Sequence, residues 1–336
     1  MLNRRVLLGG LAAVPLAVPA TRAATTPALA TSGSELLSGN SQVRLRGVAI
    51  GDPFDARRWR PGSDMTYLSD SWNANVARLS VQSVSWRDHP DQLLAALDRD
   101  VQAALAARMW VIICWHVIGW PDGRVESDWY DSSWPLCVDF WTAMRDRYGQ
   151  DGRVVFELWN EPLSDTAWGE PNATTWPQLA LRYEQLLELI RQRSSNLCLC
   201  AGDWNSHDLR GIRARPVRGT NVGYVWHCYP IDKAGDPKTW DTLLDGLPAV
   251  APVVVTEWGF DPAATSEHYH GTAATFGDKL VPYLDAHGLH WTAWCWHPEW
   301  GPSMLKSDWR STTTFGAYVK AALGQGAQPR PVASAS

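Results

Sequence analysis

Val154-Val155-Phe156-Glu157-Leu158-Trp159-Asn160-Glu161-Pro162 is the stretch that decides the fold. It is β-branched and aromatic, apolar at both parities except for Glu157, and it stops at an amide, a carboxylate and a proline. An apolar run without alternation is the pattern of a strand covered on both faces. A buried strand that delivers Asn160 and Glu161 side by side at its end suggests a parallel sheet whose chemistry sits at the carboxyl ends of its strands.

The pattern recurs along the chain. Candidate strands are Leu45–Ile50, Val76–Val81, Trp110–Trp115, Val154–Trp159, Leu197–Ala201, Val222–Cys228, Val253–Trp258 and Trp291–Trp296. Candidate helices lie between them at Asp91–Arg108, Trp134–Tyr148, Trp176–Arg193, Thr239–Leu247 and Ala273–His287, with a last one at Thr312–Leu323. Weaker helical patterns occupy Asp64–Trp72 and His207–Arg213, and a polar stretch runs from the leader to about Gln42. Eight strands alternating with helices predict a single-domain (β/α)8 barrel rather than an open doubly wound sheet. No glycine-rich phosphate loop follows the first strand, which argues against nucleotide binding.

The chain has 336 residues, 45% hydrophobic and 19% charged, enough for one large core. Arg4-Arg5 precede an apolar run from Val6 to Ala20, the pattern of an export signal, and Asn3-Arg4-Arg5-Val6-Leu7-Leu8 has the twin-arginine form. Glycines and prolines interrupt that run, so a spanning helix is not expected. The expected organisation is a leader over 1–30, cut after Ala23 or Ala30, a catalytic barrel over 31–324 and a tail over 325–336. Such a chain is secreted or periplasmic. Losing Arg4, Arg5 and Arg22 takes the net charge from −5 to −8, and no basic stripe exists to neutralise phosphates, so nucleic acid is not an expected partner.

Six cysteines lack zinc-site spacing and read as small buried hydrophobes, with disulfides left open by the oxidising compartment. Neither metal nor cofactor is expected. His268-Tyr269-His270 has no third ligand nearby and reads as a solvated loop, and Asn172-Ala173-Thr174 is a glycosylation sequon without weight behind a bacterial-type leader. The 21 tryptophans are the odd feature. Trp59, Trp86, Trp120, Trp168, Trp204 and Trp300 fall where strands give way to loops, as in a groove whose aromatic faces meet pyranose rings.

Polar residues collect at the strand ends: Arg78, His116, Asn160-Glu161, His227-Cys228-Tyr229, Glu257, and Trp294-Cys295-Trp296-His297. A barrel brings these ends to one mouth. Two are carboxylates, and glycoside hydrolysis needs two carboxyls facing one bond, one protonated and one ionised. Arg78 and the Tyr229 hydroxyl favour an anion at Glu257; burial and the neighbouring charge keep Glu161 protonated. Glu157 shares the phase of Glu161 but is expected near the other end of the strand, away from the mouth, and reads as a buried structural acid. Asp52, Asp203 and His207 are further loop residues near the mouth.

The ordered set Arg78, His116, Asn160-Glu161-Pro162, His227-Cys228-Tyr229, Glu257 and Trp296 resembles glycoside hydrolase family 5, the cellulase-like retaining β-glycanases, over nearly all of the mature chain. The resemblance implies Glu161 as acid/base and Glu257 as nucleophile, with carboxyls about 5–5.5 Å apart. It implies substrate contacts from Asn160, His116 and His227, support of Glu257 by Arg78 and Tyr229, and Trp296 as the floor under the sugar. Ala49 stands where the family often has Asn, and His297 where it often has Asn in Trp-Asn-Pro; both positions bear on sugar preference. The first reading is therefore a secreted, monomeric endo-β-1,4-glucanase acting on β-glucan. A β-mannanase or other β-glycanase is the alternative, and an inactive carbohydrate-binding barrel a remote one.

Overall fold

The computed structural model describes residues 27–56, 60–163, 175–231, 235–325 and 331. Residues 1–26 of the expected leader, Trp59, Trp168, the sequon and most of the tail lie outside them.

The chain opens with three short strands, β1 (Leu29–Ser32), β2 (Glu35–Ser38) and β3 (Ser41–Val43), in an antiparallel sheet. From sequence, no element is expected in this polar stretch. Each connection is a two-residue turn, with Ser32 opposite Glu35 and Ser38 opposite Ser41. Gly33 and Gly39 take φ of 57° and 60°, which the hairpins require and which glycine adopts without a Cβ clash. Leu29, Leu36 and Val43 turn inward and are fully buried or nearly so.

The barrel strands are β4 (Arg46–Ile50), β5 (Val76–Gln82), β6 (Trp110–His116), β7 (Val154–Glu157), β8 (Cys198–Ala201), β9 (Val222–Cys228), β10 (Val253–Trp258) and β11 (His290–Ala293). They pair in parallel in that order, and β11 closes the barrel onto β4. Every residue of β5, β6 and β10 is buried, as strands between a packed barrel interior and a helical jacket must be. The helices show the matching stripe. Pro90–Ala106 buries Leu93, Ala96, Leu97, Val101 and Ala104, spaced to face one side. Trp134–Tyr148 and Asp64–Trp72 fall where the periodicity places them. The predicted helix His207–Arg213 is absent; the chain instead makes a short turn at Asp203–Ser206, with Trp204, Asn205 and Ser206 at positive φ.

The small sheet sits at the amino-terminal ends of the barrel strands. Leu29 N–H donates to Gly152 O just before β7. The Asn221 side chain, just before β9, accepts from Thr31 N–H and donates to Leu29 O and Ser195 O. The carboxyl ends, on the opposite face, are left to the functional loops.

β10 contains a β-bulge. Val255 pairs with Trp226 and Glu257 with His227, so Thr256 is an extra residue opposite two consecutive partners. Neighbouring strand residues normally point to opposite faces. The bulge lets Thr256 and Glu257 both turn into the barrel.

All six cysteines are buried and none is in a disulfide. No helix among the described residues is long and apolar enough to cross a membrane.

Candidate active site

Arg78 organises the mouth from below. It is completely buried on β5, and its guanidinium fork is fully used. Nε and Nη2 donate to the two oxygens of Glu157 at 2.7 and 2.8 Å. Nη2 also donates to Asn160 Oδ1 at 2.7 Å, and Nη1 to Glu257 Oε1 at 2.8 Å. One planar cation thus fixes three side chains from two strands, with the bidentate geometry that lysine lacks. Glu157 is the buried acid expected, but its expected place away from the mouth is corrected: β7 ends at Glu157, directly beneath the mouth.

Glu257 also accepts from Tyr229 OH at 2.8 Å, and His116 Nε2 lies 3.4 Å from its Oε1. Burial pushes this carboxyl up, but the Arg78 guanidinium and the His116 contact outweigh it and hold Glu257 below the ordinary carboxylate range. Arg78 is the permanent charge among them. Glu161 is moved the other way. Burial and the negative charge of Glu257 push it well above the ordinary range, against the pull of Arg78. His227 Nδ1 lies 2.8 Å from Glu161 Oε1. Burial holds His227 well below the usual imidazole value despite Glu257 nearby. The mouth therefore holds one anionic and one neutral carboxyl, the asymmetry expected from the sequence.

One oxygen of Glu161, one of Glu257 and a nitrogen of His227 all lie within 4.8 Å of one another. Among the described residues this is the one group of His, Cys and acid donors that converges closely enough for a cation. The donor set does not suit one: Arg78 and Tyr229 already engage both oxygens of Glu257, and the guanidinium would repel a divalent ion.

The structure brings seven of the eight predicted site residues together and places the eighth elsewhere. Trp296 is buried against the helix Asp64–Trp72, edge-on to Trp72 at 4.8 Å and beside Tyr67. β11 ends at Ala293, three residues before the expected end, and the chain turns there. Trp294 occupies the mouth instead. It stacks on His116 with centroids 5.1 Å apart and planes within 6°, and Arg78 lies 5.9 Å from its ring. Trp300 stacks on Trp294 at 5.9 Å. Both Trp294 and Trp296 share one parity, so alternation gives no means of choosing between them.

Other loop residues sort similarly. Trp86 is core, donating to Asp139 and packed on Phe140. Trp120 and Trp204 are half-buried. His297 Nδ1 accepts from the backbone of Glu299 and Trp300; burial lowers its pKa to about 4, so it stays neutral and holds the turn that presents Trp300. Asp52 accepts from Phe54, Asp55 and Gln82 backbone N–H groups and is a loop anchor. His207 Nδ1 binds His227 O, behind the mouth, and Asp203 binds Thr175 and Trp204 N–H. The loop read as solvated is partly folded inward: His268 and Tyr269 pack on Tyr229 at 5.0 and 5.3 Å, while His270 is exposed.

The profile of the cellulase family, glycosyl hydrolase family 5, matches residues 37–299. The chain belongs to this family. It is 24% identical over 311 residues to an endoglucanase of Clostridium saccharobutylicum, covering 87% of this chain and 64% of that protein. It is 24% identical over 265 residues to endoglucanase E-5 of Thermobifida fusca, covering 75% of this chain and 52% of that protein. The chain thus spans about half to two thirds of the length of these relatives. A crystal structure of a β-glucanase from Saccharophagus degradans in complex with cellotetraose superposes with a TM-score of 0.81 at 26% identity, covering 93% of this chain and 97% of that one.

Proposed function

We propose that this chain is a retaining endo-β-1,4-glucanase with Glu257 as nucleophile and Glu161 as acid/base. The observation that carries the reading is the pair of oppositely tuned carboxyls within 4.8 Å at one mouth, the short spacing of a double displacement without room for a water between them. Glu257 attacks the anomeric carbon as Glu161 gives its proton to the departing glycosidic oxygen. Water then adds to the same carbon, giving a proton to Glu161 and releasing Glu257. Asn160 presents its NH2 group to the sugar, because its Oδ1 is taken by Arg78. A bond from that NH2 to the neighbouring hydroxyl strengthens as charge develops. Trp294, backed by His116, offers the flat face for the sugar ring.

The endoglucanase names of the relatives and the cellotetraose bound to the Saccharophagus enzyme support glucan as the substrate. Product analysis on cellohexaose and mannohexaose side by side tests this. Internal cleavage of cellohexaose, with mannohexaose left intact, is expected. Cleavage of mannohexaose alone would overturn the glucan assignment and move attention to Ala49 and His297.

Export follows from Arg4-Arg5 and the apolar run after them. Of the two cleavage points, the one after Ala23 fits the fold: cutting after Ala30 would remove Leu29, which is fully buried and bonded to Gly152. N-terminal sequencing of the chain recovered outside the cell is expected to start at Ala24. A start at Thr31 would refute this choice, and an intact Met1 would refute the leader.

A further inference from the structure

We propose that Thr256 is a positioning residue whose hydroxyl fixes which nitrogen of His227 faces Glu161, and so keeps the catalytic proton on Glu161. The inference rests on the reading of Glu161 as acid/base and adds to it a residue that touches neither substrate nor either reacting carboxyl.

The argument is a count of protons along one buried chain. Thr256 Oγ1 lies 3.0 Å from Glu157 Oε1 and 3.0 Å from His227 Nε2. Glu157 is forked by Arg78 through both oxygens, and a carboxylate so held only accepts. Thr256 has one hydroxyl proton and must donate it to Glu157. Its oxygen can therefore only accept from His227, so Nε2 carries the imidazole proton. Nδ1 of a neutral ring is then a bare lone pair, and its 2.8 Å contact with Glu161 Oε1 needs the proton on Glu161. Every bond in the chain Glu161, His227, Thr256, Glu157 points the same way. Reversing any one would set a lone pair against a lone pair, or a proton against a proton, among buried side chains.

The burial directions agree with this count: His227 is held neutral and Glu161 protonated. Besides Glu161, the groups facing His227 are Glu257, Arg78, His207 and His116. Those facing Glu161 are Glu257, Arg78 and Glu157, with the phenols of Tyr130 and Tyr269 across the mouth. None of them lies within hydrogen-bond distance of His227 Nε2, so the choice of tautomer falls to Thr256. The bulge makes this possible by turning Thr256 inward next to Glu257. The device also serves the second half of the reaction. Once Glu161 has given up its proton, the Nδ1 lone pair faces a carboxylate, and this repulsion favours removal of a proton from the attacking water.

The test is the pH dependence of kcat/KM for Thr256→Val and Thr256→Ser on two substrates, cellohexaose and 2,4-dinitrophenyl β-cellobioside, whose leaving group needs no proton. Valine keeps the shape and deletes the hydroxyl; the freed ring can turn an N–H toward Glu161 and stabilise its anion. The alkaline limb on cellohexaose should move down by about one pH unit, a loss of about tenfold above it. The aryl substrate should change little, and serine should restore the original limb. An unmoved limb, an equal loss on both substrates, or a serine variant that behaves like valine would overturn the proposal. If the valine variant melts early, Thr256→Ala reads the same limb. Glu161→Gln run in parallel separates the two claims. If it loses cellohexaose but retains the aryl substrate while Thr256→Val leaves the limb in place, only the Thr256 role falls. If it loses both substrates equally, the acid assignment falls and the Thr256 role with it.

Discussion

Glu257→Ala is expected to fold and to lose turnover on β-glucan by about 10^4-fold or more, the scale seen when a covalent nucleophile is removed. Folding should survive because Arg78 keeps both bonds to Glu157 and its bond to Asn160. The main structural loss is the acceptor for Tyr229 OH, about 1–3 kcal/mol if that hydroxyl stays unpaired. Chemical rescue gives the result its meaning. Azide is small enough for the space the carboxylate vacates, and with 2,4-dinitrophenyl β-cellobioside it should attack from the nucleophile's side. The product is then the α-glycosyl azide, because only one displacement has occurred. A β-glycosyl azide, or near-normal hydrolysis without azide, would place the nucleophile elsewhere. The same azide added to Glu161→Ala should give the β product, since there the glycosyl-enzyme still forms on Glu257.

Arg78→Met carries the second large effect, on stability as well as activity. The substitution keeps roughly the side-chain volume and leaves Glu157 and Glu257 buried without their shared cation. Breaking a buried ion network from one side costs about 3–5 kcal/mol. The sign of the pH dependence follows. In the variant, Glu257 keeps its burial and loses the Arg78 cation that offsets it, so its folded-state pKa moves above its unfolded value. The protonated fold is then the stable one, and stability is lost as pH rises through the raised value. Urea unfolding of both proteins should give a larger gap at pH 7 than at pH 5. A gap that is equal at both pH values, or below about 1 kcal/mol, would mean that Arg78 does not hold charged partners.

Most of this architecture is legible in the sequence because a (β/α)8 barrel writes itself in two periods. All eight barrel strands lie where apolar runs place them, and the helix Trp134–Tyr148 is bounded by its own periodicity. The carboxyls and Arg78 are readable because a charged side chain at the end of a buried strand is costly to desolvate unless a partner or a substrate meets it there. The misses have physical causes. The sheet β1–β3 has strands of three and four residues, too short for periodicity, although Ser32-Gly33-Ser34 and Ser38-Gly39-Asn40 are turn signals that point to its hairpins. Trp296 stands out over Trp294 in the sequence because the end of β11 is set by where the chain turns, not by any change in composition. Trp86 resembles a groove residue because burial under a helix and exposure in a loop leave the same local sequence. Thr256 is invisible to parity: alternation from Glu257 points it outward, and only the paired register of β9 and β10 reveals the extra residue.

That extra residue also sets how β10 tolerates change. Substitutions along Val253–Val255 alter packing against neighbours and can be absorbed one methyl at a time. A change of length cannot. Deleting a single residue between Val253 and Thr256 would remove the bulge and restore strict alternation. Thr256 and Glu257 would then no longer share the barrel interior, and no repacking of side chains could restore both. In this strand the reading frame of the backbone is itself part of the catalytic apparatus.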